Sequence, residues 1–205
     1  TGWLVIPNTL ESGWIDLYHV PSQQRIIESL GRQADIRSGT ERPAIVMALQ
    51  ICILRDILWI VAGYEDGVLQ AWTIPVSTME PTLVWTHKSH TESIMALSMS
   101  PTCDSVLSLG ADYNIVRTAL HQEAVPHVQR IKRPGHACAS VRWDERVCVL
   151  GGWDACARVF TWPSLEPLAK LAYHKDSIYA LSFVRHDAVP VSYTHLRAHE
   201  TDSYL

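Results

Sequence analysis

Charged residues are scarce in this chain, 19% of 205, and phenylalanine is scarcer still, with two. The charges that exist nearly cancel, at −4 overall, so no general attraction draws the chain to nucleic acid or an acidic membrane. No apolar run approaches the ~20 residues that a helical membrane span requires. The longest, at residues 57–63, suits one buried strand, and the first residues do not resemble a signal peptide. Five cysteines (Cys52, Cys103, Cys138, Cys148, Cys156) are odd in number, scattered and never in a Cys-x-x-Cys pair. That pattern speaks against a disulfide framework and reads as reduced structural thiols of a cytosolic or nuclear protein. Gly-x-Gly-x-x-Gly, Walker-type and Gly-x-Ser-x-Gly motifs are all missing, which removes the usual marks of nucleotide binding and of an α/β-hydrolase nucleophile. No window of useful length carries a helical period.

What the chain does have is repetition. The segment His90-Thr-Glu-Ser-Ile-Met-Ala-Leu-Ser-Met99 recurs as His174-Lys-Asp-Ser-Ile-Tyr-Ala-Leu-Ser-Phe183, with six of ten positions identical and the copies 84 residues apart. Gly135-His136 and Gly152-Trp153-Asp154 lie between them, dividing the interval into units of roughly 40–45 residues, the propeller-blade period. A unit of that size cannot cover its own faces and must stack on its neighbours.

Four turn-plus-strand segments align: Ser12-Gly-Trp-Ile-Asp-Leu-Tyr18, Asp66-Gly-Val-Leu-Gln-Ala-Trp72, Asp112-Tyr-Asn-Ile-Val-Arg-Thr118 and Asp154-Ala-Cys-Ala-Arg-Val-Phe160. Each opens on a turn-favouring residue and runs into alternating apolar and polar positions. Apolar runs at 56–63, 105–110 and 146–152 precede three of these turns and predict strands buried on both faces. Further strands are expected at 44–51, 93–99, 137–143 and 177–184, with outer strands at 83–86, 128–132 and 168–172. The polar stretch 31–43 predicts an extended loop. The expectation is an all-β chain with four strands per unit.

Residues 1–187 read as one partial propeller. Residues 188–205 do not: the end of the chain has neither blade pattern nor strand alternation, and it resembles translated sequencing-adapter read-through. A start at Thr1 rather than Met suggests a fragment, and about four blades are expected of a ring of seven.

On the Gly-His and Trp-Asp positions the chain resembles the WD-repeat β-propellers. The run Gly151-Gly-Trp-Asp-Ala-Cys-Ala-Arg-Val-Phe160 and its continuation to Phe183 are similar to a narrower group, the fungal ASTRA-associated WD-repeat proteins, related to the animal G-protein β-subunit-like protein 1. Asp16-Leu-Tyr-His-Val-Pro-Ser-Gln-Gln-Arg25 and Val61-Ala-Gly-Tyr-Glu-Asp-Gly67 fit the same group. The resemblance implies a structural network in which an Asp accepts from a His and from turn amides and the His links on to a hydroxyl and a Trp. By position it pairs His90 with Asp112 and His136 with Asp154, puts Asp66 and Trp72 in the second unit, and opens the last with His174. Tyr18, Thr118 and Phe160 stand where Trp is usual. The resemblance further implies a non-catalytic scaffold subunit of the ASTRA chromatin assembly, in contact with the chaperone that matures PI3-kinase-like kinases. It places the protein in the nucleus, with the cytoplasm as a second site. A G-protein β-like signalling adaptor is the alternative, for which an N-terminal coiled coil would be expected; this sequence shows no heptads.

Reactive readings are weaker. His121-Gln-Glu-Ala-Val-Pro-His127 lacks the zinc-protease spacing, and Pro126 opposes a helix. His136, Cys138, Cys148 and Cys156 fall in different strands without paired ligand spacing, so neither metal nor cofactor is expected. Arg130, Lys132 and Arg133 form one small basic cluster, too little for direct nucleic-acid binding. No small-molecule substrate and no membrane contact are expected. Trp3, Trp14, Trp85 and Trp143 are the candidate partner anchors, since buried aromatics dominate protein recognition.

Overall fold

The computed structural model describes residues 2–32, 43–121, 125–132 and 135–183. Residues 33–42 of the polar loop, 122–124 between His121 and His127, Arg133 of the basic cluster and the tail 188–205 lie outside the described residues, as does Val184.

Fifteen strands are found among the described residues. The first sheet holds β1 (Trp3–Pro7), β2 (Ile15–His19) and β3 (Gln24–Leu30). The second holds β4 (Val46–Leu54), β5 (Ile57–Tyr64), β6 (Val68–Pro75) and β7 (Thr82–Lys88). The third holds β8 (Ile94–Met99), β9 (Ser105–Gly110), β10 (Asn114–Ala119) and β11 (His127–Arg130). The fourth holds β12 (His136–Val141), β13 (Val147–Gly152), β14 (Ala157–Thr161) and β15 (Pro167–Leu171). Each sheet is an antiparallel meander in chain order. Asp or Asn at the turns explains the tight returns: the Asp66 carboxylate accepts from Val68 N and that of Asp112 from Asn114 N.

The sheets stack through their inner strands, β4 on β8 and β8 on β12. The second strands β5 and β9 each touch the inner strand of the next sheet, and β1 touches β4 in the same manner. β1 therefore holds a second-strand place, and the first sheet has three strands rather than the expected four, lacking an inner strand among the described residues. The expected strand at 177–184 is also not formed over its described part, which carries only an isolated bridge at Phe183. An inner strand takes its ladder from the second strand of its own blade, and no such partner exists among the described residues. Ile178, Leu181 and Phe183 are seated in a core nonetheless. Ile178 is fully buried against Cys138, Val149 and Ala157.

Strand alternation decides which neighbour each side chain meets. On β5, Leu58, Ile60 and Ala62 join Ile15 and Leu17 of the preceding sheet, while Trp59 and Val61 join Ile94 and Leu97 of the following one. On β13, Cys148 and Leu150 face Leu107 and Leu109, while Val149 faces Ile178. Every core is thus an interface between blades. Each fully buried Leu or Ile contributes about 1.5–3 kcal/mol to it. The result is an all-β, incomplete propeller of WD-repeat type.

Candidate functional site

The third blade has the fullest polar tie. The loop after β7 carries His90, whose Nδ1 donates to Asp112 Oδ1 at 3.0 Å; its Nε2 lies 2.9 Å from Ser108 Oγ on β9. Asp112, in the β9–β10 turn, also accepts from Thr91 N at 3.0 Å and from Asn114 N at 2.9 Å. Burial pushes the Asp112 carboxyl up, but the bonds from His90, Asn114 and Thr91 outweigh it and hold the group at about 2. In connectivity this is the Asp–His–Ser chain of a serine hydrolase. Ser108, His90 and Asp112 are only 0%, 2% and 4% exposed, however. A nucleophile sealed between sheets meets no substrate, so the chain of bonds serves to hold strands in register.

His136 and Asp154 are not brought together. His136 is fully buried, and neither ring nitrogen has a hydrogen-bond partner among the described residues. Asp154 instead receives Arg158, with Nη1–Oδ1 at 2.9 Å and Nη2–Oδ2 at 2.5 Å. The reason is register. His136 lies opposite Gly152 on the neighbouring strand, as Ile94 lies opposite Gly110 and Val46 opposite Tyr64, each followed by a bulge. It fills an apolar core position of the inner strand, whereas His90 precedes its own inner strand by four residues. Burial, with Arg158 nearby, lowers the His136 imidazole to about 4 despite the opposing pull of Asp154 and Asp112. Arg158 is the main cause of the low value of Asp154, also about 2.

The remaining implied members are only partly tied. Asp66 caps its own turn, with no His bonded to it among the described residues, and its backbone carbonyl accepts from Lys88 Nζ. Trp72 is buried, with its indole N–H unpartnered among the described residues. Ala62 stands there at the register place of Ser108, so the hydroxyl that would accept from Trp72 is absent. His174 repeats the placement of His90, but its Nε2 has no partner among the described residues; the matching turn would fall in the second half of its own blade.

Sequence reasoning missed the ties that the other blades use. Asp16, Gln70 and Arg158 share one register place on the third strands, directly after Ile15, Leu69 and Ala157. Each is bonded differently. Asn8 Nδ2 donates to the fully buried Asp16 at 2.9 Å, Tyr64 Oη donates to Gln70 Oε1 at 2.9 Å, and Arg158 holds Asp154. A polar residue at this place in three of four strands was the available signal.

Three exposed aromatics, Tyr113, Trp153 and Tyr173, lie at the end of the blades bearing these turns. Tyr113 and Trp153 are 44% and 42% exposed, and Tyr173 is 82% exposed. The Arg130 guanidinium lies 5.6 Å over the Tyr113 ring. Trp153 lies against Gly135, which has a φ of +82°; a Cβ there would fall 2.1 Å from the indole, so glycine is what lets the ring sit down. Loop-to-turn bonds hold this end firmly: Ser93 Oγ donates to Glu65 O, Gly135 N to Asp112 O, and Ser177 Oγ to Trp153 O.

Of the four tryptophans expected as anchors, Trp85 is not available. It is 5% exposed inside the core between the second and third blades, and its Nε1 donates to Leu120 O at 3.1 Å. Trp14 sits at the aromatic end beneath the Arg32 guanidinium, 5.3 Å from its ring. Trp3 packs on the first core with its ring 4.7 Å from that of His19. Trp143 is half exposed at the opposite end, beside the bidentate Arg142–Asp144 pair. Cys148 and Cys138 are separated, Cys148 in the core toward the third blade and Cys138 in the core toward residues 178–183. Among the described residues no group of three His, Cys, Asp or Glu could hold a metal ion.

No family model matches the chain. It is similar, at 30% identity over 189 residues, to ASTRA-associated protein 1 of Verticillium alfalfae, a match covering 88% of this chain and 44% of that relative. Similarity to ASTRA-associated protein 1 of Aspergillus niger is 27% over 210 residues, covering 92% and 46%. Similarity to guanine nucleotide-binding protein subunit beta-like protein 1 of Mus musculus is 27% over 185 residues, covering 88% and 54%. The chain spans about half the length of these curated relatives.

Proposed function

We propose that this chain is part of an ASTRA-associated WD-repeat protein, a non-catalytic scaffold subunit of the chromatin-associated ASTRA assembly that acts in the nucleus and is linked to the maturation of PI3-kinase-like kinases. The names of the fungal relatives support the assembly. The observation that carries the mechanism is the aromatic end of the blades, where Tyr113 and Trp153 stand half exposed on turns fixed by backbone bonds. A surface already ordered loses little conformational entropy when a protein partner docks, and aromatic side chains supply most of the affinity in such contacts. Trp14 and Trp143 are retained as further candidate contacts.

Capture of the tagged full-length protein from nuclear extract tests both halves of this reading. Wild-type protein should bring down ASTRA subunits and the kinase-maturation chaperone. A Tyr113→Ser, Trp153→Ser double variant should lose them at least tenfold with an unchanged melting temperature. A wild-type protein that migrates alone overturns the assembly; full retention by the variant overturns the aromatic end. The similarity to the mouse G-protein β-like protein favours a second reading as a signalling adaptor, and recovery of G-protein subunits in place of ASTRA subunits would select it.

A further inference from the structure

Charge is sorted at the turn-bearing end of the blades. Over the second blade it is acidic: Glu65, Asp66 and Glu92 are exposed there. Over the junction of the third and fourth blades it is basic and aromatic. Ile131 packs on the core between these two blades, and Arg130 and Lys132 on either side of it are exposed. Backbone bonds tie this segment to both turns. Ile131 N donates to Tyr113 O at 2.8 Å, Gly135 N to Asp112 O at 3.2 Å and Trp153 N to Gly135 O at 3.2 Å. Arg130 lies over the Tyr113 ring, an attraction that restrains the guanidinium. A third cation comes from the fourth blade. Leu150, Arg158 and Lys170 stand opposite one another across β13, β14 and β15, and Leu150 faces the third blade. Cross-strand neighbours share a face, so the exposed Lys170 stands on that side too. The two carboxylates at this junction are already engaged, Asp112 by His90 and Asp154 by Arg158. Farther along, the exposed Lys175 is offset by the adjacent Asp176.

We propose, resting on the reading of this end as the docking surface, that the junction takes an acidic, extended segment of a protein partner. Its carboxylates would meet Arg130, Lys132 and Lys170, and an apolar side chain between them would lie against Trp153. A guanidinium already restrained over a ring offers a carboxylate two parallel donors with little further ordering. The lysines add point charges beside it. The whole chain carries a net charge of −4, so the attraction comes from local sorting and not from overall charge. An acidic segment is drawn to the junction and repelled by Glu65, Asp66 and Glu92, which fixes where it lies. A nucleic-acid strand fits less well, since it needs a cationic track with free aromatic faces for its bases. The carboxylates over the second blade cut such a track, and Gly135 already lies against the six-membered ring of Trp153.

The test titrates the full chain against a fluorescein-labelled peptide of Glu and Asp around a central Phe, read by anisotropy. A Gln and Asn version of the peptide and a labelled single-stranded RNA serve as comparisons. The acidic peptide should bind, weaken as salt rises, and lose about tenfold in affinity in an Arg130→Ala, Lys132→Ala variant. Arg146→Ala, which removes an exposed cation at the opposite end, should leave binding unchanged. An Arg130→Glu, Lys132→Glu, Lys170→Glu variant should release the acidic peptide and take a Lys version better than wild type does, a gain that misfolding does not produce. Equal binding of the amide peptide, tighter binding of the RNA, or no binding at all overturns the proposal. Capture of full-length protein from nuclear extract separates it from the reading beneath it. If the charge-reversed variant keeps the partners that Tyr113→Ser, Trp153→Ser loses, the acidic segment alone is overturned; if both variants keep them, the docking surface falls as well.

Discussion

Asp154 gives both carboxylate oxygens to Arg158, four residues along the same chain, and neither to His136. The fourth blade therefore closes its turn with an ion pair inside one hairpin, where the third blade uses a bond between a loop and a turn. His136 is left as a neutral filler of a core position.

Arg158→Ala should cost about 1–3 kcal/mol, because it strips the part-buried Asp154 of its partner. His136→Ile should be neutral or stabilising, since no hydrogen bond is lost and Ile94 and Val46 occupy the same register place. Urea unfolding midpoints of the two variants check this, and a large loss on His136→Ile would restore the imidazole to a bonded role.

His90→Ala or Asp112→Ala removes one member of a fully buried pair and should destabilise by about 3–5 kcal/mol. Ser108→Ala should cost less, about 1–2 kcal/mol, as it removes one neutral partner of His90. The same denaturation series applied to all three gives the ranking, and equal losses would contradict it.

Stability should fall in two steps on acidification. His136 titrates near 4 when folded against an ordinary 6.5, so below 6.5 the unfolded chain binds a proton that the folded chain refuses. Stability present above 6.5 is then lost as pH drops toward 4. Asp112 and Asp154, lowered from 3.8 to about 2, withdraw their contribution between those values. In His136→Ile the upper step should flatten while the lower one remains, as read by thermal melts across pH.

Trp85→Ala should cost about 3–5 kcal/mol, the price of a buried indole. Trp153→Ala, at the exposed end, should change stability little. Gly135→Ala should destabilise, because its positive φ and the 2.1 Å approach to Trp153 leave no room for a Cβ. Differential scanning calorimetry separates the three.

The blade period, the turn positions and the doubly buried second strands were legible because alternation and turn chemistry are local. β9 falls at residues 105–110, as the apolar run there predicts. His136 was misread because Gly135-His136 looks like the Gly-His that opens a blade, whereas its true place depends on the bulge between His136 and Cys138, which only strand pairing reveals. That the first sheet lacks an inner strand among the described residues is likewise a fact of pairing. Trp85 could not be told from a surface anchor, since an indole suits either place. The Arg158–Asp154 pair went unseen because it belongs to no repeat-wide pattern.

The most direct test of the stacked-blade account is hydrogen–deuterium exchange resolved by strand on the native chain. β5, β9 and β13, buried on both faces, should be the slowest to exchange, with the outer strands β7, β11 and β15 exchanging first. Equal protection across each sheet, or outer strands slower than second strands, would contradict it.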